Sequence, residues 1–119
     1  MNGSILVSTR HAPYGNTLAQ DALDVALTYA AFDQTVSLLF LDDGVLQLLP
    51  QQAADALAQK NIAKILQSLA LYDIDKVYVD EAAMQRRGLD SKHCVLPVIS
   101  LDSAAIAELM HLHKIVLSF

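Results

Sequence analysis

Cys94 is the one cysteine of this 119-residue chain, and it follows Lys92 and His93. Neighbouring cations favour the thiolate, the form of sulfur that attacks a sulfur donor or binds a metal. The simpler reading is a small apolar group at the start of a strand, because cysteine is among the residue types most often buried. Two acidic pairs also carry reactive groups. Asp80-Glu81 could orient a thiol or a water, and Asp42-Asp43 could serve as acid and base. Both pairs stand at strand ends, where carboxylates usually cap a following helix or sit solvated in a turn. Ser8, Thr9, Asn16 and Thr17 surround Gly15 between a strand and a helix N-terminus, a geometry able to receive phosphate. The loop has a single glycine and an interposed Pro13, with no acidic ribose-binding signature and no flavin-stacking aromatic pair. A turn-and-cap loop is therefore the default, with Arg10 and His11 either solvated or touching a neighbour. His111 and His113 are two apart and would face opposite sides of a helix, with no Cys, Asp or Glu immediately beside them. No metal and no cofactor is expected, and His113 with Lys114 suits a helix C-terminus.

The elements that position these groups alternate in type. Ile5-Leu6-Val7 is a short buried strand that leaves through the loop Ser8 to Thr17. Leu18 to Ala31 has helical periodicity, with Leu18, Ala22, Val25 and Tyr29 as the apolar stripe and Asn16 or Thr17 as cap. Val36 to Leu41 is a second strand without polar alternation, as expected where both faces are covered. A second helix spans Ala54 to Leu71, carrying Ala58, Ile62, Ile65, Leu66 and Leu69 on one face. Val77-Tyr78-Val79 is a third strand, and Glu81 to Arg87 a short helix stopped by Gly88. Val95 to Ile99 reads as a fourth strand, at an edge or bulged because Pro97 cannot donate to the ladder. Asp102 or Ser103 caps a last helix with Ile106, Leu109 and Met110 on one face, and Ile115-Val116-Leu117 is the fifth strand. Strands alternating with helices predict a three-layer αβα fold around a five-stranded, mainly parallel sheet, flavodoxin-like in outline, in one domain over residues 1–119.

Composition narrows the function. The formal net charge is -5 with scattered Lys and Arg, which disfavours direct nucleic-acid binding. Apolar runs end far short of the roughly 20 residues a membrane span needs. One cysteine and no apolar stretch after a basic start predict a cytoplasmic protein. The chain is 54% hydrophobic and 18% charged, against about 45–50% and 25% in an average domain, so part of its surface is expected to be covered by another chain. The run Val45, Leu46, Gln47, Leu48, Leu49, Pro50 puts four large apolar groups beside a turn. These groups, joined by Tyr72, are the candidate interface, with a short helix folding over the sheet end as the alternative.

Four segments, STRHAPYGNT (8–17), DDGVLQLLP (42–50), LYDID (71–75) and DEAAMQRRGLD (80–90), run in order along nearly the whole chain. In combination they resemble the TusC/DsrF branch of the TusBCD/DsrEFH sulfur-relay family. The resemblance implies a DsrEFH-like fold and a heterohexamer, a dimer of trimers with homologous TusB/DsrH-like and TusD/DsrE-like subunits. Such a complex hands persulfide sulfur to a TusE-like acceptor, towards 2-thiolation of the tRNA wobble uridine, or handles sulfur in dissimilatory oxidation. It also implies that the carrier cysteine of the sulfur-carrying subunit stands eight residues before the glycine of the RRG string. Counted back from Gly88, that position is Asp80. A carboxylate cannot hold a sulfane sulfur, so an accessory, non-catalytic subunit is expected. The rival expectations are a sulfurtransferase working through Cys94 and a small nucleotide-binding module.

Overall fold

The computed structural model describes residues 4–13, 17–50, 62 and 64–119. Five strands, β1 (Ser4–Thr9), β2 (Thr35–Phe40), β3 (Lys76–Asp80), β4 (Ile99–Leu101) and β5 (Ile115–Ser118), form one sheet in the order β4-β3-β2-β1-β5. Every neighbouring pair is parallel, with Ile5 level with Val36 and Ile115, and Leu38 level with Val77. The helices are α1 (Leu18–Ala31), α2 (residues 62 and 64–68), α3 (Glu81–Arg86) and α4 (Ser103–Leu112). Right-handed crossovers explain their sides. The steps β1 to β2 to β3 to β4 all go one way and put α1, α2 and α3 on one face, whereas the return from β4 to β5 carries α4 across the other.

The larger core lies under α1 to α3, where Ile5, Val7, Val36, Leu38, Phe40, Val77 and Val79 meet Leu23, Leu66 and Met84. The smaller one joins Leu6, Leu39 and Leu41 to Leu109, with Ile106 and Met110 packed at its margin. Both faces of β1 and β2 are thus covered, which is why their apolar runs show no alternation.

The structure moves two sequence-based boundaries and one helix face. β1 continues through Ser8 and Thr9, both fully buried, so these two hydroxyls belong to the sheet and not to a loop. On α1 the buried stripe is Ala19, Ala22, Leu23 and Ala26, while Leu18 and Tyr29 are exposed. An alanine-rich helix carries two overlapping apolar stripes, and the one with the smaller side chains lets the helix lie closer to the sheet. Thr17 takes the cap position without a side-chain cap bond, its hydroxyl donating instead to Asp21 at 3.2 Å. β4 begins at Ile99, where the expected strand was to end. The Val95 N–H donates to the Leu48 carbonyl at 2.7 Å, and Pro97 has no N–H to give, so ladder pairing starts only beyond it. The edge position expected from Pro97 is observed. Half of the expected second helix, its Ala58 included, lies outside the described residues, while Ile62, Leu66 and Leu69 are buried as the periodicity required.

Sharp helix exits use the left-handed region. Gly88 (φ 65) ends α3, its N–H and that of Leu89 reaching the Gln85 and Met84 carbonyls. Asp33 (φ 62) after α1 and Asp73 (φ 61) after the 3-10 turn Leu69–Tyr72 make the same pair of bonds without a glycine. Gly44 serves a different purpose. A Cβ there would lie 2.3 Å from the Thr9 carbonyl oxygen, so only glycine lets the two backbones meet. Gly44→Ala should therefore cost about 3 kcal/mol by overpacking. Gly88→Ala, with open space around it, should cost about 1–2 kcal/mol for its backbone angle alone. Urea midpoints for the two variants measure the order, and a Gly44→Ala loss no larger than that of Gly88→Ala would contradict the close approach.

Candidate functional site at the carboxyl edge of the sheet

In an open parallel sheet the reactive groups collect outside the carboxyl ends of the strands. Here β3 ends at Asp80, which is half-buried and caps α3, its Oδ1 accepting the Ala82 N–H at 3.1 Å. Glu81 follows in the first helical turn, exposed to solvent. This is the capping arrangement read from the sequence, and it puts a carboxylate, not a thiol, at the strand end. Farther along the same edge, beyond β2, the ends of β1 and β5 are joined by backbone bonds: Arg10 N–H donates to the Phe119 carbonyl at 3.2 Å and Phe119 N–H to the Ser8 carbonyl at 2.9 Å.

Residues Asp42–Leu48 form a 3-10 turn that caps this edge. Its entry is strained, with Asp42 at φ 48, and it is tied to β1 through Leu41 N–H to the Thr9 carbonyl at 2.9 Å. Gln47 is almost wholly buried. Its Nε2 donates to Thr9 Oγ1 at 3.0 Å and to the His11 carbonyl at 2.8 Å, pinning the first loop from beneath. Among the described residues its Oε1 has no partner. Arg87 reaches across from the end of α3, donating to the Asp43 carboxylate from Nη2 at 2.6 Å and Nε at 3.2 Å, and to the Ala83 carbonyl at 2.9 Å. Asp42 has looser ion pairs with Arg10 at 4.0 Å and Arg86 at 3.9 Å. At such exposure these two pairs contribute little; with the Arg87 contact they place arginines on both Asp42 and Asp43.

The apolar run after Gly44 divides. Val45 and Leu48 are completely buried in the chain's own core, which corrects the expectation that they meet a partner. The turn brings them into the same core cluster as the strand-end residues Phe40 and Val79. Leu46 and Leu49 stay half-buried and Tyr72 is exposed, at the opposite edge of the sheet.

Cys94 is half-buried beyond a short turn at Ser91–His93. The Asp90 carboxylate accepts the Lys92 N–H at 3.1 Å, and the Asp90 N–H donates to His93 Nδ1 at 2.9 Å. The Lys92 N–H holds the Asp90 carboxyl below the usual carboxylate range. The cations beside Cys94 do not activate it. Burial, with the Asp90 charge adding to it, pushes the thiol above its ordinary value, the reverse of a tuned nucleophile. The other candidates are likewise occupied. Ser8 Oγ donates to Ser118 Oγ at 3.1 Å and Thr9 Oγ1 accepts from Gln47, so neither faces a phosphate site. Asn16 lies outside the described residues. His113 Nδ1 bonds the Leu109 carbonyl at 2.8 Å, capping α4, and His111 is exposed. No described helix is long and apolar enough to cross a membrane.

The sequence profile of the DsrE/DsrF-like family matches residues 3–119. The chain belongs to that family. It is 39% identical over 110 residues to the protein TusC homolog of Pseudomonas aeruginosa, covering 92% of both chains. To the intracellular sulfur oxidation protein DsrF of Allochromatium vinosum it is 37% identical over 124 residues, covering 92% of this chain and 91% of the relative. The crystal structure of the ychN protein from E. coli is similar in fold, with a TM-score of 0.78, 19% identity and full coverage of both chains.

Within this DsrE/DsrF-like chain, the sequence reading missed the roles of Gln47 and Arg87. The signal for Gln47 was available: a lone amide inside an apolar run that turns out to be buried must find hydrogen-bond partners. Arg87 gave no such signal, since its partner Asp43 is 44 residues away. The state of Cys94 is directly testable. Its alkylation rate by iodoacetamide should rise with a midpoint above the ordinary thiol value of 9.0, and Asp90→Asn, which keeps a capping oxygen, should bring that midpoint down. A midpoint near neutrality would contradict the burial argument.

Proposed function

We propose that this chain is an accessory subunit of a cytoplasmic TusBCD-type sulfur-relay complex, folded as one domain, which performs no covalent step itself. The supporting observation is Asp80 at the end of β3 with its carboxylate bonded to the Ala82 N–H. Persulfide transfer needs a thiolate that attacks the outer sulfur of the donor; the donor S–S bond breaks and the donor leaves as a thiolate. A carboxylate at that position can do neither part. The half-buried Cys94, with its pKa raised, is a poor substitute, which weighs against a sulfurtransferase of its own.

In this reading the chain packs with TusB/DsrH-like and TusD/DsrE-like subunits in a dimer of trimers, and the carrying subunit passes sulfur to a TusE-like acceptor for 2-thiolation of the tRNA wobble uridine. The 37% identity to a relative named as an intracellular sulfur oxidation protein supports a second reading, in which the same architecture handles sulfur for oxidation. Both readings share the prediction of assembly. Co-expressed with its homologous subunits and examined by size exclusion with light scattering, the chain should run in one hetero-oligomeric peak. Elution as a monomer apart from them would overturn the proposal.

A further inference from the structure

Opposite the carboxyl edge, at the amino edge of the sheet, α1 and the 3-10 turn Leu69–Tyr72 end side by side. Each exits through a left-handed aspartate, Asp33 and Asp73, and the side chains just before these turns are directed outward. Phe32 is 74% exposed, Leu71 84%, Tyr72 41% and Tyr29 37%. Two ring systems, a leucine and a further tyrosine left bare at one end of a small protein form the kind of patch that interfaces cover, since aromatic residues are enriched there. Between the two chain turns lies a cleft of about 210 Å³ lined by Ala30, Asp33, Gln34, Thr35, Tyr72 and Asp73. Among the described residues its only charged lining groups are the two carboxylates. On the other side of the Leu69–Tyr72 ridge, an apolar groove of about 410 Å³ runs along Leu69, Ala70 and Ile74 to Val95 and Pro97.

The charges decide what fits. An isologous contact with a second copy would set the carboxylates against carboxylates, in a chain whose net charge is already -5. Phosphate backbones and anionic lipid surfaces are repelled in the same way. A protein surface with a cation at its centre and aliphatic groups around it is complementary: the cation enters the acidic cleft beside the Tyr72 ring, and its apolar surround covers Phe32 and Leu71. We propose that this amino edge is the docking face for a sister subunit that inserts an arginine or lysine between Asp33 and Asp73. The inference rests on the subunit reading above and adds which face is used and by what chemistry. It leaves the carboxyl edge, with Asp80 and the turn Asp42–Leu48, open towards the other members of the assembly.

The test uses the full chain titrated into its separately purified homologous subunits. Asp33→Asn with Asp73→Asn keeps residues that tolerate the left-handed backbone, and Phe32→Ser with Leu71→Ser alters only exposed positions, so both pairs should keep the wild-type circular dichroism. Each pair should weaken association by about tenfold or more, and the asparagine pair should also flatten its salt dependence. Glu108→Gln, exposed on α4 across the sheet, should bind as wild type. Wild-type affinity in either pair, while the wild-type chain still assembles, overturns this inference and leaves the subunit reading standing. A wild-type chain that does not assemble removes both. Self-association of the chain abolished by Phe32→Ser would assign the face to a second copy and overturn the inference as well.

Discussion

The approach of Gly44 to the Thr9 carbonyl is the contact on which the rest of the carboxyl edge is built. It lets the turn Asp42–Leu48 lie directly on the end of β1, and that turn then holds three other segments. Gln47 bonds the first loop from below. Asp43 receives Arg87 and so anchors the far end of α3. The Leu48 carbonyl takes the Val95 N–H, setting the path that leads into β4. Val45 and Leu48 meanwhile close the end of the larger core. Burying a Val and a Leu side chain contributes about 1.5–3 kcal/mol each, far more than the exposed ion pairs at Asp42. Packing thus holds the turn, and the charged groups only orient its neighbours.

This construction bears on function because it fixes what stands at the end of β3. Asp80 is presented by a strand in the interior of the sheet and held by the first turn of α3, whose other end is bolted down by Arg87. The position is thus held through both ends of α3, and the group on it is a carboxyl already engaged with a backbone N–H. The single thiol lies elsewhere, under a burial and a negative charge that both oppose thiolate formation.

Much of this was readable from residues. Apolar runs at Ile5 to Val7 and Val36 to Leu41 marked the central strands because both faces are covered, and Gly88 marked the end of α3 because a left-handed exit favours it. The errors have physical causes. The stripe on α1 was misplaced because alanine fits either of two helical faces and only the sheet chooses between them. β4 was placed early because Leu96 and Val98 are apolar for core contact, not for ladder pairing. Val45 and Leu48 were assigned to an interface because an apolar turn looks the same whether its cover is another chain or its own sheet. The strand order and the Arg87 to Asp43 link depend on contacts distant in sequence, which no local pattern carries.

The central claim is that this chain carries no sulfur. Its most direct measurement is intact-mass analysis of each subunit after the assembled complex is loaded by a cysteine desulfurase with its cysteine substrate. The account predicts a gain of one sulfur on a homologous subunit and an unchanged mass for this chain. A gain of one sulfur on this chain, lost in Cys94→Ser, would contradict it.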